Sequence, residues 1–573
     1  MKYLLYCLGI LLLPLLSHAQ QVDLANLKGM FSKDAPLKVR GGLNASTIFH
    51  NGSETSGRQP FTWYLNGNMS MSIFNQINLP FSFNLTNAGI NYTYPTTPNR
   101  LSLHPTYKGI TGHIGDVAMT FSPYTLNGMQ FRGVGVDVAP TNEWSVSAMY
   151  GRLSRAVAYD TANKNVLPTY QRMGYGTKLT LTKEKYGLGF SIFAAKDDPS
   201  SNPTIPDSLY IFPKKNVTFS INGMVRPAKG LELTMEYANS AVQMNKRDFN
   251  IVKEQGGNLL SSVFMYDHKS TLFYKAIKAG MNYTFMKSTI GVGYERIDPG
   301  YQTLGAYYFN NDLENITVNF SQPFLKSKAN VSVNVGYQRD DLANTKSGRT
   351  SRMVSSVNMN YNPGDRLNMS LTYSNFQTYM NMRSQFDAIN QTTPIQNLDT
   401  LNFTQISQNT ALNVNYILKT DKRKSHNLNV NLSLQDAADL REGVLHKGDG
   451  SRFYNSNVAY SLMFIPAQVN VTAAFNLSYN TIGREDNLTW GPTAAFNSRL
   501  FKKKMTAGGS VSYNASAASG VEQGKVLNLR ANAGYRVQKK HNLNLSAMQQ
   551  LRWIPVKGTV NDQTVTLGYN YNF

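Results

Sequence analysis

The sequence predicts an all-β fold: a transmembrane antiparallel β-barrel of about 24 strands, between roughly 22 and 26, with short turns at one rim and long loops at the other. Three observations carry this expectation. In residues 564–573, Val565, Leu567, Tyr569, Tyr571 and Phe573 occupy every second position with small or polar residues between them. A strand with that pattern has one apolar and one wet face. Second, similar alternation recurs along the chain, and its polar positions are filled mostly by Asn, Ser, Thr and Gly rather than Lys or Glu. Third, only 16% of the residues are charged while 11% are aromatic, which suits strands that face lipid on one side and water on the other.

The elements follow in chain order. Lys2, an apolar stretch over residues 4–16 and Ser17-His18-Ala19 read as a signal peptide, residues 1–19, cleaved after Ala19. The stretch is short for a membrane helix and Pro14 interrupts it. Cys7, the only cysteine, lies inside it, so the processed chain has no disulfide and no thiolate ligand. Residues 20–34 are expected to be a short periplasmic segment, and residues 35–573 the barrel.

Alternation is clear in Val217–Phe219–Ile221, in Val331–Val333–Val335–Tyr337, in Leu428–Val430–Leu432–Leu434 and in Val469–Val471–Ala473–Phe475. Short turns are expected at 140–143, 183–185, 226–230, 286–288, 323–329, 362–366, 419–425, 465–467, 501–504 and 538–541. Long polar stretches fall at 197–216, 239–270, 296–314, 374–409 and 435–452. Before Met129 the rhythm fails. Strand-like pieces at 37–49, 61–74, 79–85 and 107–114 leave two options: the first lies outside the wall, or a loop near 87–105 folds inward. A barrel this wide would be a large hole. The stretches 239–270 and 374–409 are therefore the candidates to narrow it, the alternative being that they are surface loops. Too few residues precede the first strand for a receptor-type plug.

The search for chemistry is mostly negative. No histidine pair has metal-ligand spacing, no calcium loop is present, and no serine–histidine pair with recognisable surroundings occurs. Ser519-Gly-Val-Glu-Gln-Gly-Lys525 is one residue too short between its glycines for a phosphate loop, and residues 449–452 read as a turn. Gly174 and Gly176 read as bends or tight spots. No catalysis and no cofactor are expected. The formal net charge of +22 suggests nucleic-acid binding at first sight. An exported chain without a nucleic-acid motif argues against it.

Parity assigns the lumen lining. Leu179, Met235, Met281 and Leu529 are taken as lipid-facing, which puts Lys178, Glu232, Glu236, Lys278, Asn528, Arg530 and Arg536 inside. A charge facing lipid at mid-depth would cost about 2–4 kcal/mol. Much of the excess charge sits in short turns, at Lys326 and Lys328, Lys419, Lys422, Arg423 and Lys424, residues 502–504, and Lys539 and Lys540. These turns are expected to meet inner-leaflet phosphates, with a periplasmic partner as the alternative.

Two resemblances add to this reading. Gly568, Tyr569, Tyr571 and Phe573 lie in an ending that resembles the C-terminal signal Gram-negative outer-membrane barrels present to their assembly machinery. Leu79-Pro-Phe-Ser-Phe83, Pro105-Thr-Tyr-Lys108, Gly112-His-Ile-Gly115, Phe121-Ser-Pro-Tyr-Thr-Leu-Asn-Gly128 and Gly133-Val-Gly135 resemble the N-terminal strands of large porin-like barrel proteins of Bacteroidota-type bacteria. The second resemblance spans roughly residues 79–155 and implies location and fold, without a residue-level activity. The expected partners are outer-membrane lipid and lipopolysaccharide and the barrel-assembly machinery. The expected function is a porin-like channel for small solutes. A non-conducting scaffold or secretion-machine component is the alternative, and a barrel enzyme a third, unsupported one. Residues 121–128 read more readily as a constrained turn than as a functional loop.

Overall fold

The computed structural model describes residues 37–52, 59–88, 99–161, 167–248, 250, 268–307, 311–343, 351–375, 378–381, 403–441, 444–482, 485–538, 540–555 and 557–573. The expected segments 1–19 and 20–34 lie outside the described residues. So do residues 251–267 and 382–402, the middles of the two stretches expected to narrow the lumen.

The described residues form 28 strand segments in one sheet. The first group is β1 (Leu37–Gly52), β2 (Phe61–Ile73), β3 (Ile77–Thr86), β4 (Arg100–Leu103), β5 (Thr106–Tyr107), β6 (Ile110–Thr120), β7 (Asn127–Val138), β8 (Trp144–Ser154) and β9 (Gln171–Thr182). Next come β10 (Tyr186–Asp198), β11 (Lys215–Ala228), β12 (Leu231–Gln243), β13 (Thr271–Phe285), β14 (Ser288–Ile297), β15 (Leu313–Phe324), β16 (Ala329–Arg339), β17 (Ser351–Gly364), β18 (Leu367–Ser374) and β19 (Thr378–Asn381). The last are β20 (Phe403–Thr420), β21 (Lys424–Arg441), β22 (Val444–Phe464), β23 (Val469–Ile482), β24 (Glu485–Leu500), β25 (Met505–Ala518), β26 (Val521–Val537), β27 (His541–Ile554) and β28 (Gly558–Asn572).

Each segment pairs antiparallel with its neighbours, and β1 pairs antiparallel with β28, so the sheet closes on itself. Segments β4 and β5 share one place between β3 and β6, and β18 and β19 share one beside β20. The wall therefore has 26 strands, inside the expected range. Closure removes both sheet edges, which leaves every wall strand with two neighbours to satisfy its backbone. Alternate side chains on the outer face are large, apolar and exposed, among them Leu188, Phe190, Met235, Met281, Val292, Val318, Val471 and Leu567.

The N-terminal rhythm resolves once β1 is placed. The first strand belongs to the wall, where Gly42 pairs with Asn572 and Phe49 with Val565. Pro105, which has no N–H to donate, breaks the fourth strand into β4 and β5. Its carbonyl still accepts from Gly112 N at 2.7 Å.

Three expectations are corrected. Strand β12 runs on to Gln243, so residues 239–243 belong to the wall. Residues 435–452 are not an irregular loop, because β21 and β22 pair as far as Arg441 and Val444. The turn expected at 449–452 lies inside β22. In all three places polar side chains suggested a loop, yet the backbone ladder needs no apolar residues to continue. The turn after β25 is a tight one, with Ser519 and Gly520 at φ 47° and 79°, and it carries no phosphate-loop geometry.

Candidate functional site

The connection between β6 and β7, residues 121–126, leaves the wall and cuts across one side of the lumen. Its reach proves this. Ser122 Oγ donates to a carboxylate oxygen of Glu236 on β12, and Tyr124 Oη donates to Glu295 Oε1 on β14 at 2.5 Å. Counted from β7, those strands are five and seven places away. Neighbouring strands stand about 4.8 Å apart, so the partners are on the order of 25–35 Å away along the wall. Only a chord through the interior joins them.

A second connection, residues 298–312, meets the first. Tyr301 Oη donates to the Tyr124 carbonyl at 2.7 Å and Thr303 Oγ1 to the Thr125 carbonyl at 2.8 Å. Asn127 N donates to the Gly305 carbonyl at 2.9 Å. The wall holds the pair from behind. Asn216 Oδ1 accepts from Leu304 N at 2.9 Å, and Ser240 Oγ donates to the Gln302 carbonyl at 2.7 Å.

The shelf so formed has its own core. Phe121, Leu126, Met129, Phe131, Phe193 and Leu304 are buried in one cluster, and Tyr124 and Tyr301 in a second. Each such side chain removed from water contributes about 1.5–3 kcal/mol. The wall makes room with glycine: a Cβ at Gly176 would meet Ile192 O at 2.7 Å and Phe121 Cε2 at 2.9 Å, and one at Gly174 would meet Leu153 Cδ1 at 2.7 Å. Burial, reinforced by Glu295, pushes the Tyr124 phenol above its ordinary value. Burial does the same to Tyr301.

Beneath the shelf, Glu236, Lys278 and Glu295 stand in one cross-strand rung. Glu236 also accepts from Ser220 Oγ at 2.7 Å. An acid–base–acid row is thus capped on both acids by hydroxyls of the inward turn, while Lys278 is exposed to the lumen.

The other lumen candidates lie apart from this rung. Lys178 is half-buried on β9, level with Ser147 and Ser191. Glu232 sits near the short-turn rim in an ion pair with Arg226 at 2.8 Å. Asn528 is buried on β26, donating to Ser512 Oγ at 3.2 Å and accepting from Gln550 Nε2 at 2.9 Å. Arg530 is half-buried one step along the same face, and Arg536 Nε donates to Asn542 Oδ1 at 3.3 Å at the short-turn rim. Glu236 and Lys278 are therefore brought together, Asn528 and Arg530 are neighbours on another strand, and none of the remaining five joins the rung.

Sequence parity did not find Ser122, Tyr124, Glu295, Tyr301 or Thr303. One signal was available. Tyr124 with Leu126, and Tyr301 with Leu304, place aromatic and apolar residues inside connections, where polar residues are the norm.

Lumen-facing side chains in the long-loop half are buried around much of the ring. Examples are Tyr64, Thr86, Phe131, Phe193, Ser240, Val354, Ser478, Asn528 and Thr564. The belt breaks at β18–β21, where Thr372, Asn413 and Asn415 are exposed. In the short-turn half Asn532, Asn544 and Ser546 are exposed, so the lumen is wetter there. Lys326, Lys328, Lys422, Arg423 and residues 502–504 form an exposed basic collar at that rim. Among the described residues no group of three or more His, Cys, Asp or Glu could hold a metal ion.

At the seam, Gly568 faces the lumen beside Ser46, and Tyr569 and Tyr571 face outward. His541 Nδ1 lies 2.7 Å from Tyr569 Oη, and the Tyr571 and Phe573 rings lie 5.5 Å apart. Phe573 exchanges two backbone hydrogen bonds with Gly41, at 3.0 and 3.2 Å.

No family model matches the chain, and no curated protein matches it. Solved structures similar to it include the P pilus usher translocation pore (PapC), with 11% identity, 93% of this chain and 99% of that chain covered and a TM-score of 0.40. Another is a mutant of the ferric enterobactin receptor PfeA of Pseudomonas aeruginosa in complex with enterobactin, at 9% identity, 94% and 82% covered and a TM-score of 0.41. A third is a mutant porin of Rh. blastica, at 10% identity, 56% and 98% covered and a TM-score of 0.26. The barrel architecture of this chain stands on its own closed strand ladder.

Proposed function

We propose that this chain is a porin-like outer-membrane channel for small solutes, and that the inward shelf is its constriction. The observation that supports this most is the reach of Ser122 and Tyr124 through one side of the lumen to Glu236 and Glu295. A wall of 26 strands encloses a wide bore, and the shelf occupies one side of it. Diffusing solute passes from one rim to the other beside the shelf. The Glu236–Lys278–Glu295 rung, with Lys178 and Arg530, sets the field it crosses. The apolar outer face and closed ladder suit an outer membrane. In that setting the short-turn rim faces the periplasm and its lysines meet inner-leaflet phosphates. Lipopolysaccharide surrounds the other rim. The last strand, with Gly568, Tyr569, Tyr571 and Phe573, serves the assembly machinery. We assign the chain no catalysis, cofactor or nucleic acid.

The test is single-channel conductance of the refolded full chain and of Tyr124→Ala in planar bilayers, with folding checked by heat-modifiable gel mobility. Stable conductance that rises in the variant is expected. Folded protein that stays silent in both forms overturns the channel. The basic collar favours a second reading, a non-conducting barrel that docks a periplasmic partner. A stoichiometric partner that co-purifies with the silent protein, and is lost when residues 502–504 are changed to Glu, is its mark.

A further inference from the structure

The lumen face opposite the shelf is made almost wholly of amides and hydroxyls. One rung runs through seven neighbouring segments as Asn330, Asn360, Ser370, Asn413, Asn431, Asn457 and Asn476. The rung on one side of it reads Ser332, Asn358, Thr372, Ala411, Ser433, Asn455 and Ser478. On the other side stand Asn368, Asn415, Asn429, Ala459 and Ala474. No ionisable residue stands on these three rungs.

The amides are chained. Asn413 Nδ2 donates to Ser370 Oγ at 3.4 Å, Asn431 Nδ2 to Asn457 Oδ1 at 3.3 Å, and Asn457 Nδ2 to Asn476 Oδ1 at 2.6 Å. A chain bond uses one N–H and one lone pair of an amide that has two of each. An independent observation points to the same sector: the belt of buried lumen residues breaks at β18–β21, where Asn368, Thr372, Asn413 and Asn415 are exposed.

We infer that solute passes along this amide ladder, and that the preferred class is uncharged and hydroxyl-rich, such as carbohydrates. The inference rests on the channel reading. Amides offer donors and acceptors side by side, as sugar hydroxyls do, so each hydrogen bond lost to water is replaced at little net cost. An ion finds no opposite charge on the ladder to replace its hydration. The charged rung lies on the other wall, under the shelf.

The test uses proteoliposomes of the full chain. Isosmotic swelling is followed with a neutral monosaccharide and with an organic cation and anion of similar size. Salt conductance is recorded in parallel. The sugar is expected to enter faster than either ion. Asn431→Asp, or the exposed Asn413→Asp should the first fail to fold, is expected to slow the sugar and shift the reversal potential toward cations. Salt conductance without sugar preference, unchanged in the folded variants, overturns the ladder as the path and leaves the channel standing. Absence of both salt and sugar flux, in the wild type and in Tyr124→Ala, removes the channel and this inference with it.

Discussion

Tyr124 and Glu295 are 171 residues apart and spring from wall positions seven strands apart, yet the phenol donates to the carboxylate at 2.5 Å. That contact turns a wall turn into a bar along one side of the lumen. It also makes the bar accessible to single substitutions.

Tyr124→Phe keeps the ring in its cluster and removes the donor. A hydrogen bond to a charged acceptor contributes about 1.5–3 kcal/mol, so the shelf should loosen while the barrel stays closed. Noisier, higher conductance with unchanged heat-modifiable mobility is the expected result. Tyr124→Ala also leaves a cavity, worth roughly 3–5 kcal/mol for a large aromatic, and should have the larger effect.

Gly176→Val should act from the wall side. The added Cβ meets both Ile192 O and the Phe121 ring, and overpacking of this kind costs about 1–3 kcal/mol. Gly223→Ala is the control, since a Cβ there meets nothing closer than 3.6 Å. Protease sensitivity of residues 121–126 should rise in the first variant and not in the second.

The Tyr124 phenol gives the shelf a pH dependence. Its folded-state value is raised above the ordinary 10.0, chiefly by burial. The bound proton therefore stabilises the shelf fully below pH 10.0, and that contribution is lost as pH rises through the folded value. Difference spectrophotometric titration of wild type against Tyr124→Phe should show this one phenol ionising later than an exposed tyrosine. A phenol that titrates at its ordinary value contradicts its burial.

Asp421 sets the turn before β21. Its Oδ1 accepts from Arg423 N at 2.7 Å and Lys424 N at 2.8 Å, and those backbone bonds hold its carboxyl below the ordinary 3.8. The sign is opposite to that of Tyr124: the bonds are fully present above pH 3.8 and are lost as pH falls through the folded value. Amide exchange at Arg423 and Lys424 should speed up in that acid window, beyond the intrinsic pH trend. Asp421→Asn should flatten the response.

Removing Phe573 deletes both backbone bonds to Gly41 and one member of the aromatic row that ends β28. The fraction of chain that reaches the heat-resistant folded form should fall, and the β1–β28 seam should become the first to exchange its amides. Equal folding yield would mean that β28 closes the barrel without its last residue.

Strand faces were legible in the sequence because alternation is a property of the single strand. Met235 is exposed on the outer face and Glu236 stands behind it, as parity requires. Short turns were legible for the same local reason. The early strands were legible as segments, but their place in the wall was not, because β1 finds its second partner at the far end of the chain in β28, and no local pattern announces a seam.

The sequence by itself therefore determined that this is a barrel, about how many strands it has, and which side of the clearly alternating strands faces outward. Local periodicity and backbone hydrogen bonding are enough for that. Only the tertiary structure decided that residues 121–126 turn inward, that Glu236, Lys278 and Glu295 share a rung beneath them, and that the asparagines of neighbouring segments line up. The direction of a turn depends on what it packs against. Here that is Gly174, Gly176 and Phe193 on neighbouring strands and Tyr301, 177 residues away from Tyr124. Rungs depend on the register between strands, which alternation within one strand does not specify.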